Sequence, residues 1–131
     1  MQIKLWCCPA ARTVSRKGWT MIKSLSLLTR KPGLSHDAFV RHWREIHAPL
    51  AHAVPGVRRY VQNHIVGERR RADIKETEVA VDGIAELWYD DRGAMDRANA
   101  SPEAKRLHDD GALFIGGIKT FIIEEEVIIP R

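Results

Sequence analysis

Apolar residues recur at helical spacing between Phe39 and Val54. Phe39, Trp43, Ile46, Leu50 and Val54 fall within about 80° of arc at the helical repeat of about 100° per residue, and His47 lies on the edge of that stripe beside Trp43 and Val54. Ser35 offers a side-chain cap and Pro55-Gly56 a stop, so the pattern predicts a helix from about His36 to Val54. Pro49 has no backbone donor and is expected to bend or end the regular ladder next to an inward-facing imidazole. Strand-like stretches rich in Ile, Val, Leu and aromatics occupy Met21–Thr29, Val57–Val66, Gly83–Asp90 and Ile118–Ile129, the last interrupted by Glu124-Glu125-Glu126. The first ends at the turn signal Arg30-Lys31-Pro32-Gly33. Asp91 caps a short predicted helix through Asn99. Ser101-Pro102-Glu103 starts another, with proline at the first helical position, expected to fade near Asp110-Gly111. Residues 67–82 form a charged connection, long for a compact domain.

The resulting order is β-α-β-β-α-β. This predicts an α+β, ferredoxin-like fold, a four-stranded antiparallel sheet with both helices on one face. The strands carry apolar side chains at both parities: Leu25 and Leu27 against Ile22 and Leu28, Leu87 and Tyr89 against Ile84 and Trp88, Ile122 and Ile128 against Phe121, Ile123 and Val127. Sheets apolar on both faces are covered on both sides. Two helices cover one side, so a second copy is expected on the other, as a homodimer with twofold symmetry.

Composition and charge narrow the function classes. The 131 residues are 44% hydrophobic and 29% charged, as in globular domains, and no apolar run approaches the length that spans a bilayer, so no membrane partner is expected. The net charge of +4 misleads, because Lys4, Arg12, Arg16 and Lys17 carry all of it. From residue 21 onward basic and acidic side chains balance, which removes the electrostatic case for nucleic acid. Arg69-Arg70-Arg71 sits among Glu68, Asp73, Glu76 and Glu78 and reads as a solvated loop. We therefore divide the chain into a flexible basic extension, 1–20, and a folded domain, 21–131. Cys7 and Cys8 are adjacent and lie in the extension, where they can neither staple the domain nor form a metal motif. A reducing cytoplasm is the expected compartment, and the extension lacks the apolar centre of a secretory signal.

Candidate chemistry centres on His47. In an apolar wall, desolvation favours the neutral imidazole, which accepts a proton near neutral pH; the structural alternative is a buried histidine bonded to backbone. Tyr60 shares a strand face with Arg58, Gln62 and His64 and can hold a developing oxyanion, or simply pack with a wet hydroxyl. Trp43 and Trp88 can wall a flat or apolar ligand, although either can equally be plain core. Glu86 shares a face with Trp88 and is a weaker substrate-binding candidate, as is Asn63. Which face of the sheet meets the helices is not fixed by pattern. His42, His47 and His52 are five apart, about 140° around an α-helix, so they are not expected to share a face as the histidines of a zinc helix do; no metal is expected. A nucleotide, phosphate or flavin fingerprint is likewise missing, so no cofactor is expected.

The combination Phe39-x-x-His42-Trp43-x-x-x-His47-Ala48-Pro49-Leu50, after a Lys-Pro-Gly turn and before Pro55-Gly56, Tyr60-x-x-Asn63 and residues 83–90, resembles the EthD-domain family of the dimeric α+β-barrel superfamily. The resemblance covers about Met21 to Ile129. It implies a small homodimeric protein tied to catabolism or tailoring of organic compounds and often labelled oxidoreductase. Taken with the residues, it points to an enzyme, an oxidoreductase or an isomerase or dehydratase without a nucleotide cofactor of its own, acting on an apolar carbonyl, lactone or aromatic compound. His47 would be its acid/base, Tyr60 its oxyanion partner, and Trp43, Trp88, Asn63 and Glu86 its substrate contacts. The alternative is a non-catalytic carrier of a small apolar ligand beside a partner enzyme.

Overall fold

Four strands form one antiparallel sheet: β1 (Ile22–Arg30), β2 (Arg59–His64), β3 (Gly83–Tyr89) and β4 (Ile115–Ile123), in the order β2-β3-β1-β4. The computed structural model describes residues 21–131, and the extension expected at 1–20 lies outside the described residues. Between β1 and β2 run α1 (His36–His42), a π-helical turn (Trp43–His47) and α2 (Ala48–His52). Between β3 and β4 lie α3 (Arg92–Asn99) and α4 (Pro102–Phe114). This is the ferredoxin-like arrangement predicted from the element order. The expected caps are in place: Ser35 accepts from the Ala38 N–H, Asp91 from that of Ala94 and Ser101 from that of Ala104.

The π turn is the main departure from the predicted helix, and it has a local cause. Pro49 cannot donate to the carbonyl four residues back. The chain widens by one residue just before it, and the Ala48 N–H bonds the Trp43 carbonyl, five residues back. The buried line then runs Phe39, Trp43, His47, Ala51, while Ile46, expected in the stripe, is 54% exposed. An uninterrupted α-helix would drift along such a four-residue series; the wider turn cancels the drift and sets His47 squarely inward.

The sheet register decides which strand residues meet the helices. Tyr60 pairs with Leu87, Ser24 with Leu87, and Ser26 with Ala85 and Thr120. These side chains, with Leu28 and Tyr89, face the helix layer. Phe39, Trp43 and Phe114 fill one end of the core, and Ile22, Val54, Met95 and Leu107 the other. Gly83 is small of necessity: a Cβ there would stand 2.4 Å from the Trp43 ring.

Two boundaries also differ from expectation. α4 runs through Asp110 and Gly111 to Phe114 instead of fading there. β4 starts and ends earlier than predicted and stops before the three glutamates. Glu125 turns onto the other face of the sheet, where it takes bonds from Lys23 Nζ at 3.0 Å and Trp88 Nε1 at 2.8 Å. The long connection before β3 holds no strand, and it is pinned at buried Asp82 by the Arg30 guanidinium, at 2.6 Å, and by its backbone N–H.

Candidate active site

A cavity of about 570 Å³ lies between the helix layer and the sheet. Its roof is Trp43 and His47 from the π turn, with Leu107, His108 and Gly111 from α4. Its floor includes Ser24 and Ser26, Tyr60, Leu87 and Tyr89, and Thr120. Exposed lining residues Asn99, Ala112, Ile118 and Ile122 mark the mouth.

His47 is 8% exposed. Its Nδ1 lies 2.8 Å from Oδ2 of Asp110 on α4. A carboxylate accepts, so Nδ1 carries the hydrogen and the lone pair of the neutral ring is on Nε2. Nε2 has no hydrogen-bond partner among the described residues, and it is not a sealed buried atom. His47 lines the cavity, and no protein group among the described residues takes up this lone pair. Burial is the main influence on the imidazole and pushes its pKa below the ordinary 6.5, against the pull of Asp110 and helped by the nearby His42 and His108.

Tyr60 is held from beneath. Gln62 Nε2 donates to the Tyr60 hydroxyl oxygen at 2.9 Å and to the Trp43 carbonyl at 2.8 Å. With its oxygen occupied as an acceptor, the phenol is oriented to donate. Burial raises its pKa, partly offset by the Gln62 bond, so it stays protonated at neutral pH. Tyr89, also on the floor, is raised by burial as well.

Three of the six expected site residues, His47, Tyr60 and Trp43, thus share one cavity. The other three do not line it. Trp88, Glu86 and Asn63 project from the opposite face of the sheet, one residue out of phase with Leu87 and Tyr60. There Lys23 Nζ bonds Glu86 at 2.8 Å, Asn63 Nδ2 donates to Glu86 at 3.0 Å, and the Arg59 guanidinium covers Trp88 at 4.8 Å. Lys23 holds the Glu86 carboxyl below its usual range despite burial. Their role as substrate contacts is withdrawn on this geometry.

Asp110 is the candidate site residue that sequence reasoning missed. It also bonds His42 Nε2, at 3.1 Å to each carboxylate oxygen. His42 and His47 therefore do converge, contrary to the 140° expected of an α-helix. The π turn brings residues five apart nearly into line. Among the described residues no group of three His, Cys, Asp or Glu side chains has the arrangement to hold a metal ion.

The class so defined is a ferredoxin-like α+β protein whose helix–sheet chamber is walled by a carboxylate-braced histidine. The EthD domain matches residues 31–117, and the chain belongs to the EthD-domain family. It is 28% identical to 4-carboxymethyl-4-methylbutenolide mutase of Pseudomonas reinekei over 108 residues, 82% of this chain and 100% of that protein. A solved EthD family protein from Bacillus halodurans superposes with a TM-score of 0.65 at 29% identity, over 80% of this chain and 98% of its own. A Thermobifida fusca protein of unknown function, described as dimeric and ferredoxin-like, superposes with a TM-score of 0.61 at 13% identity, over 81% and 92%. That last likeness concerns the fold alone. The mutase is by name an isomerase, one of the reaction types expected from the sequence, while the oxidoreductase label of the family resemblance gains no specific support.

Proposed function

We propose that this chain is an enzyme that moves a proton on a small, neutral, largely apolar carbonyl or lactone compound. The observation that carries this reading is the His47 imidazole, held through Nδ1 by Asp110 with Nε2 unpaired in the cavity wall. In this scheme Nε2 takes a proton from a carbon next to the carbonyl. The negative charge that collects on oxygen is met by the Tyr60 O–H, and the proton then returns at a different position. Such a shift is an isomerisation and is balanced without an outside oxidant. The similarity to a named mutase supports the same reaction type.

The lining also bears on the substrate. Among the described residues no Lys, Arg, Asp or Glu lines the cavity. An anionic ligand would lose hydration there without meeting a Lys or Arg counter-charge. The named relative acts on a carboxymethyl compound, and this chamber suits a neutral counterpart better. A thermal-shift panel of neutral butenolides, enones and aromatic ketones, each paired with a carboxylate analogue, tests this. The neutral members are expected to raise the melting temperature, a ligand at a hundred times its Kd adding about 2.7 kcal/mol. Stabilisation by the carboxylates alone would reject the substrate assignment.

The same reading includes a homodimer. Leu25, Leu27, Ile84 and Ile123 sit half-buried on the sheet face away from the helices, beside Phe121 at 44% exposure. A second copy covering this face would bury them, in keeping with the dimeric relative. Phe121→Glu is expected to halve the mass seen by light scattering without loss of helical content. An unchanged mass would place the contact elsewhere.

A further inference from the structure

Asp110 is bound by imidazoles from two sides. Its side chain is 10% exposed, and the ion-pair geometry around it consists of His47 at 2.8 Å and His42 at 3.1 Å. No lysine or arginine reaches it among the described residues. Phe114, fully buried, lies against the His42 ring at 4.5 Å with the planes tilted by 31° and meets the His47 ring edge-on at 5.1 Å, so one aromatic ring packs against both imidazoles. The arrangement is a clamp built from the end of α1, the π turn and α4.

A carboxylate this dry needs compensating charge. One imidazolium supplies it; two would leave a net positive charge in an apolar wall. The two rings are not equivalent. His42 is the more exposed, 24% against 11% for its side chain, and its Nε2 faces both carboxylate oxygens evenly. His47 uses a single oxygen and borders the cavity. We propose that His42 is a positioning residue that bears the cation of this three-residue clamp, neutralises Asp110 and thereby keeps His47 an uncharged proton acceptor. It does not line the cavity and acts through Asp110. This deepens the reading of His47 as a base and rests on it for its functional meaning.

The groups that titrate or carry charge around His47 are Asp110 and His108 on α4, His42 on α1, and Tyr60 and Tyr89 on the sheet. Replacing His42 by glutamine keeps an N–H donor toward Asp110 but removes the cation. The full negative charge of Asp110 then faces His47 alone, and the His47 midpoint rises. Opposite charges at such range move a midpoint by one to three units in general, and about one unit is expected here.

The test is an NMR titration of the ¹⁵N-labelled imidazoles in the full chain, which needs no substrate. In His42→Gln the His47 midpoint should climb by about one pH unit, while the low-field Nδ1–H resonance shows that the Asp110 bond survives. In His42→Lys, where a cation is restored, the midpoint should fall back toward the parent value. Asp110→Asn serves as a second variant: adding His42→Gln to it should move His47 far less than in the parent. A His47 midpoint unmoved in His42→Gln, or moved equally with and without the Asp110 charge, overturns the proposal. These outcomes leave the catalytic reading intact, because they report on His47 whether or not it turns over a substrate.

Discussion

His47→Gln is expected to lower kcat/KM by about 10²–10⁴-fold on any substrate the protein turns over, the range that one general acid–base group contributes. Glutamine is close to histidine in size and uncharged, so the cavity should keep its shape. What disappears is the Nε2 lone pair. The pH dependence separates this from a packing effect. Burial lowers the His47 pKa from 6.5, so the neutral base predominates at pH 7. In the parent protein log kcat/KM should be flat near neutrality and fall with unit slope below a midpoint under 6.5. The variant should lack that acid limb. Steady-state rates between pH 4.5 and 8 on a compound found by thermal shift provide the measurement. Full turnover by His47→Gln would remove His47 from the mechanism, and tight binding without product in the parent would favour a carrier.

How far this site was legible in the sequence depends on which physical signal each residue leaves. His47 is marked by helical periodicity together with the nearby proline, two local signals that agree. Tyr60 is marked by strand alternation, although its face had to be learned from the register. Asp110 leaves no such mark. It is 63 positions from His47 in the chain, and the Asp109-Asp110-Gly111 sequence reads as a polar helix end. In the structure Asp109 pairs with Lys105 in solvent at 2.8 Å, while Asp110, one residue on, turns inward. Only tertiary packing distinguishes the two.

The errors have a shared origin as well. Trp88, Glu86 and Asn63 were misplaced because the strands are apolar at both parities, and a one-residue change of phase sends every side chain to the other face. The angle between His42 and His47 was misjudged because it assumed an α-helical repeat. Pro49 announces an interruption but not its form, and a kink, an end and a π turn all satisfy its missing donor. The form chosen here buries His47 and expels Ile46. By contrast, the element order and the three N-caps rest on short-range chemistry and were readable in full.

Trp43→Ala should have the largest effect on stability, about 3–5 kcal/mol, as large aromatic truncations in a core do. The residue is 1% exposed, stacks on Phe39 with the rings 5.6 Å apart and 6° from parallel, and stacks on His64 at 5.0 Å. Its ring fills the space that a Gly83 side chain would need. Truncation would leave a void against backbone that has no side chain with which to collapse into it. For a domain of this size the melting temperature should drop by roughly 10–20 °C, read by calorimetry or circular dichroism. Trp43→Phe should fall between, because a smaller ring keeps part of both stacks while vacating the region above Gly83. The loss also reaches the site. The Trp43 carbonyl takes the Gln62 bond that steadies Tyr60 and the π-turn bond from Ala48, so slack in this residue loosens the roof and the floor together. A Trp43→Ala protein within about 1 kcal/mol of the parent would mean that the helix layer holds without this ring. The π turn would then owe its position to the proline alone.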